Sequence, residues 1–258
     1  MSDEFLQDQV NKAKTNPVLR SGILTKSFNL WLSVSDCFIP DEYICNAMDA
    51  GLRLEDFKNL NAYASADLSA VNDITSLSVM VPLDGKFYFW TWYFLPEDTI
   101  ETSVNREKYK YWMQTGQLIV TQGNVQDLNA LFSKLKEVND IVVLQKFGYD
   151  QWGSTSLSIQ MSDEGFGDLL QPVSQSIGNF SRGHKMLQTI LMNGTCKMEK
   201  NDITRWMFSN VHIREDHNSN QKGEKGKDRS AKIDGYISMT QCLLLYLDDP
   251  RYTYTVTV

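Results

Sequence analysis

Apolar positions along this chain change their spacing near residue 60. Before it they are scattered. Phe5, Val10, Val18, Leu19, Ile23 and Leu24 sit among polar residues, and Pro17 interrupts them, which reads as a helix and a loop. Phe28, Leu30, Trp31 and Leu32 follow, and then Pro40-Asp41-Glu42, a helix-start signal that predicts a helix over 41–48. From residue 62 the spacing becomes strand-like, with apolar runs at 62–66, 74–81 and 87–95. Asp84-Gly85 between the second and third runs is a hairpin turn signal. Three runs joined by short turns predict an antiparallel meander. The aromatic run 87–95 reads as a central strand buried on both faces in preference to a base-stacking platform.

Helical spacing then alternates with short strands. Pro96-Glu97-Asp98 opens a helix expected to reach Met113 and to close at Gly116, with Arg106, Lys108 and Lys110 on a solvated face. A short strand is expected at 118–121 and an amphipathic helix at 127–138. The run 141–149 reads as a strand that ends in Asp150, with an exit turn at 151–153. Helices at 154–161 and 178–192 flank a short strand at 169–173. Mixed spacing leaves 203–213 unassigned. Residues 214–232 are almost free of apolar side chains and are expected to form a mobile loop. A helix at 237–247 is apolar around most of its circumference, and the tail alternates Thr with Tyr and Val as an edge strand or an ordered extension. The expected class is α/β: a mixed sheet, antiparallel meander plus parallel strands, flanked by helices. Residues 1–58 would be an N-terminal extension or linker and 59–258 the main domain.

Charge and composition narrow the chemistry. A net charge of −7 gives no global field to attract nucleic acid or anionic lipid, so any DNA contact must use local basic clusters. Cys37, Cys45, Cys196 and Cys242 form no CxxC pair and no zinc spacing, as expected of reduced thiols in an intracellular protein. The N-terminus is acidic and polar, unlike a signal peptide, and no apolar run approaches the roughly 20 residues that span a bilayer. His184, His212 and His217 make no metal spacing with the cysteines and read as surface or core residues. No G-x-S-x-G elbow is present. Gly223-Glu224-Lys225-Gly226-Lys227 has the wrong spacing for a phosphate-binding loop, so ATP hydrolysis is not expected of this chain.

Three acids stand at element ends: Asp67 after the first strand, Asp150 after the later one, and Asp234 before the last helix. A carboxylate at a core strand end is costly unless something pairs with it. If the first and later strands lie side by side and the last helix packs on them, the three converge into a hard-oxygen site suited to Mg²⁺ or Mn²⁺. Two such ions about 4 Å apart stabilise both the attacking and leaving oxygens of a phosphodiester. Lys222, Lys225, Lys227, Arg229 and Lys232 lie just before Asp234, as a solvated loop or as a flap that grips DNA phosphates.

Several segments resemble the tailed-bacteriophage terminase large subunit. They are Ala66-Asp67-Leu68-Ser69, Asn72-Asp73-Ile74-Thr75, Tyr93-Phe94-Leu95-Pro96-Glu97-Asp98-Thr99-Ile100, GQLIVTQGN from Gly116 to Asn124, Gly148-Tyr149-Asp150-Gln151-Trp152 and Lys232-Ile233-Asp234-Gly235. They stand in the family's order across about residues 28 to 247. What they resemble is the C-terminal nuclease half, which implies an RNase H-like fold. By motif, the resemblance implies that Asp67, Asp150 and Asp234 bind two divalent metal ions, Mg or Mn, and leaves Asp73 as a fourth ligand, a supporting group or a turn residue. It further implies an endonuclease that cuts concatemeric double-stranded viral DNA in the host bacterial cytoplasm, leaving 5′-phosphate and 3′-hydroxyl ends. Its implied partners are the terminase ATPase motor, the small terminase subunit and the portal protein, with no membrane. Another RNase H-like nuclease, of junction resolvase or transposase type, and a non-catalytic docking module of the packaging machine are the alternatives.

Overall fold

The computed structural model describes residues 3–15, 38–68, 73–124, 127–150, 155–226, 228 and 230–251. The exit turn at 151–153, the C-terminal tail, Cys37, Lys227 and Arg229 lie outside the described residues, as does most of the segment around Pro17. Helix α1 spans Asp3–Thr15, α2 Asp41–Ala47 and the short β1 Met48–Asp49. The meander follows as β2 (Asn61–Asp67), β3 (Thr75–Leu83) and β4 (Lys86–Pro96). Asp84 and Gly85 carry φ of 50° and 73°, the paired positive values that a two-residue hairpin turn needs.

Next come α3 (Glu97–Thr102), α4 (Arg106–Gln114), β5 (Leu118–Thr121), α5 (Leu128–Ile141), β6 (Val143–Tyr149), α6 (Thr155–Asp163) and β7 (Leu170–Pro172). The single helix expected over 96–113 is thus two. The chain is extended at Ser103, and the Asn105 side chain turns away to donate to the Ser230 carbonyl at 2.8 Å. The last third contains α7 (Ile177–Met192), β8 (Cys196–Glu199), α8 (Asp202–Ser209), β9 (Val211–Glu215), β10 (Gln221–Lys225) and α9 (Asp234–Leu247). The mixed spacing of 203–213 is a helix followed directly by a strand.

Eight strands form one mixed sheet in the order β1-β8-β4-β3-β2-β6-β7, with β5 also beside β4. The meander β2-β3-β4 is antiparallel, and β2-β6, β6-β7, β4-β5, β4-β8 and β1-β8 are parallel. The aromatic strand β4 is central, with Phe89, Trp90, Tyr93, Phe94 and Leu95 buried. One face packs on α5 through Leu131, Phe132, Leu135 and Val138. The other packs on α9, which α7 covers in turn. This is the mixed, helix-flanked sheet of an RNase H-like fold. Phe38, Ile39, Ile44 and Ala47, from the stretch assigned to the extension, are buried in the same core as Tyr236 and Phe180.

The polar stretch 214–232 is not a structureless loop. β10 pairs antiparallel with β9 from Gln221↔Glu215 to Lys225↔Val211. Ladder bonds need no apolar side chains, and the hairpin borrows its apolar backing from the body of the protein. The Lys222 ammonium lies 5.2 Å from the centre of the Phe180 ring, and the Gln221 N–H donates to Ser181 Oγ at 3.0 Å.

Candidate active site

The parallel pairing of β2 with β6 sets Ala66 against Tyr149. Asp67 and Asp150 therefore leave adjacent strand ends in the same direction, on backbones about 4.8 Å apart. Asp73 precedes β3, the other neighbour of β2. Asp234 opens α9, whose positive N-terminal end favours a carboxylate. One strand pairing and one helix docking thus bring the chain positions of Asp67, Asp150 and Asp234 toward the same end of the sheet.

The docking is set by hydroxyls. Ser76 Oγ donates to the Asp234 carbonyl at 2.8 Å and lies 2.8 Å from Ser238 Oγ. Ser238 Oγ also bonds Ser78 at 2.7 Å, and Ser78 bonds Thr91 at 2.9 Å. Ser65 donates to Gln241 Oε1. The small strand side chains let α9 lie close to the sheet, and its turns are keyed to the strands by these bonds. At the first turn, a Cβ on Gly235 would collide with the Tyr93 hydroxyl, so a side chain there would push Asp234 off its seat.

The acids feel one another. Burial pushes the Asp67 carboxyl well above the usual carboxylate range, the charges of Asp234 and Asp150 add to the shift, and Lys225 and a hydrogen bond from the Gln175 side chain oppose it. Asp234 is 7 % exposed, and burial, reinforced by the Asp73 charge, raises it to about 6. Among the described residues, Asp234 Oδ2 is buried with no hydrogen-bond partner. A buried carboxylate oxygen left so is unusual and calls for a cation. Among the described residues no three Asp, Glu, His or Cys side chains stand close enough to form a ready metal-holding group. What fits a divalent cation is the donor set, aspartate oxygens alone, together with that unpartnered oxygen.

Basic side chains surround the acids. Lys232 Nζ is 2.6 Å from Asp73 Oδ2 and Lys225 Nζ is 3.9 Å from it. Asp73 also accepts from the Ile74 N–H at 2.8 Å. Lys222 donates to the Gln175 carbonyl at 2.8 Å and is near enough to Asp67 and Asp150 to feel their charge, while burial lowers its own pKa. Of the five lysines and arginines singled out from the sequence, Lys225 and Lys232 stand against Asp73 and Lys222 lies within electrostatic range of Asp67 and Asp150, while Lys227 and Arg229 lie outside the described residues. Gln175 and the serines had no sequence signal, because isolated Ser and Gln residues look the same in a loop, on a surface or in a polar seam. Of the histidines, His184 is fully buried, held near pKa 4 by that burial, and its Nδ1 lies 2.7 Å from the Tyr236 hydroxyl.

Residues 2–248 match the family model for the terminase large subunit, endonuclease domain. The chain is 26% identical over 250 residues to protein YmfN of Escherichia coli (strain K12), covering 92% of this chain and 54% of that protein. It is 25% identical over 185 residues to the large terminase subunit of Enterobacteria phage HK97, covering 69% of this chain and 36% of that protein. The crystal structure of the HK97 bacteriophage large terminase superimposes with a TM-score of 0.71 at 22% identity, covering 95% of this chain and 51% of that one. The chain therefore spans about half or less of the length of these relatives.

Proposed function

The chain belongs to the endonuclease-domain family of terminase large subunits, and from that membership we propose that it is a metal-dependent endonuclease that cuts double-stranded viral DNA concatemers during genome packaging. The observation that carries this reading is that Asp67 and Asp150 leave paired strand ends, Asp234 opens the helix docked beside them, and, among the described residues, an Asp234 oxygen is buried with no hydrogen-bond partner.

In this reading Asp67, Asp150 and Asp234 hold two divalent cations, Mg²⁺ or Mn²⁺, with Asp73 beside them. When bound, such a pair supplies Lewis-acid stabilisation of the entering and leaving oxygens of in-line phosphodiester hydrolysis, which leaves 5′-phosphate and 3′-hydroxyl ends. Asp67 and Asp150 contribute oxygens from rigid strand ends, so their spacing does not depend on a loop. Asp234 contributes one from a helix keyed to the sheet by Ser76 and Ser238. Lys222, Lys225 and Lys232 offer positive charge to DNA phosphates, within a chain whose net charge of −7 would otherwise repel them.

That excess of negative charge implies weak DNA binding by the domain alone. Delivery of duplex then falls to partners: an ATPase motor, a small terminase subunit and a portal protein, in the cytoplasm of the host bacterium. Among the described residues no helix is long and apolar enough to cross a membrane.

Plasmid cleavage in Mn²⁺ tests the proposal. The wild-type chain is expected to linearise supercoiled DNA, and Asp67→Asn, Asp150→Asn and Asp234→Asn are each expected to lose about a thousand-fold in rate. Wild-type-like cutting by all three variants would remove the aspartates from the chemistry.

A further inference from the structure

We propose that Tyr236 is a positioning residue: it mounts the β9–β10 hairpin so that Lys222 and Lys225 stand over the acids. The inference rests on the nuclease reading above and adds to it a residue outside the acid cluster. The hairpin is a two-stranded sheet separate from the main one, and an isolated hairpin is marginal in water. Its place must come from what it docks on.

Tyr236 supplies the central dock. Its hydroxyl accepts the Gly223 N–H at 2.9 Å and bonds His184 Nδ1 at 2.7 Å. Its ring fills the space beside Gly223, where a Cβ would come within 2.6 Å of it and 2.5 Å of Val211. Gly223 lies between Lys222 and Glu224 and two residues before Lys225, so this one amide fixes the strand from which Lys222 leaves one face, toward the Gln175 carbonyl, and Lys225 the other, toward Asp73. His184 is itself wedged against Phe38, with ring centres 4.9 Å apart, and is fully buried, so the hydroxyl is held from the protein interior. Tyr236 also follows Asp234 by two residues on α9. One helical turn thus carries both an acid of the site and the post that fixes the lysines facing it, and the two charge sets keep their spacing because they share a backbone.

Tyr236→Phe keeps the ring and removes the hydroxyl. For plasmid cleavage in Mn²⁺ the expected result is a rise in KM for DNA of roughly two- to ten-fold, the worth of one hydrogen bond, with kcat within about two-fold of wild type. Hydrogen exchange should quicken over residues 211–225 and stay unchanged in β2 and β3. In a Lys222→Ala/Lys225→Ala background, the added Tyr236→Phe should leave KM where it is, because the two lysines are what the tyrosine positions. Gly223→Ala, which leaves the tyrosine intact and displaces the strand, should raise KM in the same way. An unchanged KM in Tyr236→Phe, a loss confined to kcat, or an equal KM rise in the lysine-free background overturns the inference. If the wild-type chain does not cut DNA at all, the nuclease reading fails. Hydrogen exchange then decides the mount on its own: faster exchange confined to the hairpin upholds it, and unchanged exchange ends it.

Discussion

The two faces of the sheet are made from the same strands and do different work. Toward α5, the meander presents Ala62, Ala64, Ala66, Leu77, Val79, Val81 and Trp90, all buried and apolar. Toward α9 it presents Tyr63, Ser65, Ser76, Ser78, Met80 and Thr91, of which the serines and Thr91 are bonded to α9 or to one another. Strand alternation has period two, so Asp67, two residues beyond Ser65, falls on the face of the hydroxyls. The acid site is thus the open end of a buried polar seam. Burial against α5 is non-directional and supplies stability. Hydrogen bonds to α9 contribute less energy each, but they fix which turn of the helix meets which strand.

The comparison can be broken from either side. The largest effect is expected on the dry face. Leu77→Ala leaves a cavity in a fully buried site and should cost about 3 kcal/mol in chemical denaturation, while kcat of the folded fraction stays near wild type. Asp234→Asn should act in the opposite sense on stability while removing activity. A carboxyl whose folded pKa is raised to about 6 from an ordinary 3.8 disfavours the fold increasingly as pH rises from about 4 to about 6 and in full above that, and has no such effect well below 4, where both states are protonated. The variant should therefore be more stable than wild type by about 3 kcal/mol at pH 7, and the gain should vanish in denaturation curves at pH 3.5. The smallest effect is expected at the seam. Ser238→Ala removes the contacts of its hydroxyl with Ser76, Ser78 and the Gly235 carbonyl, but Ser76 keeps the Asp234 carbonyl and Ser78 keeps Thr91, so the cost should be about 1 kcal/mol. A loss larger than that of Leu77→Ala would show that the seam, and not the apolar face, carries the fold.

Much of the scaffold was legible along the chain. The Asp84-Gly85 turn, the three runs it organises and the amphipathic period of α5 are local signals, and local structure follows them. The side-by-side placement of β2 and β6 was also within reach, because a meander followed by helix-linked strands leaves few ways to close a mixed sheet. The division of 97–114 into α3 and α4 was not legible, since the backbone is extended at Ser103 and the Asn105 side chain beside it donates to a carbonyl 125 residues away in sequence. The strand β10 was not legible either. Its residues are polar, and what holds them is backbone pairing with β9 and the docking surfaces of Phe180 and Tyr236.

For the acids, the chain by itself determined residue type and element ends: an aspartate after each of two strands and one before the last helix. Side-chain chemistry and chain period are local properties, and they survive without a fold. The tertiary structure alone decided that Asp73 and two lysines stand against each other, that Gln175 reaches Asp67, and that one oxygen of Asp234 is buried without a partner among the described residues. Distance and burial depend on which surfaces meet, and here they meet through serines and one tyrosine whose neighbours in sequence do not reveal their partners.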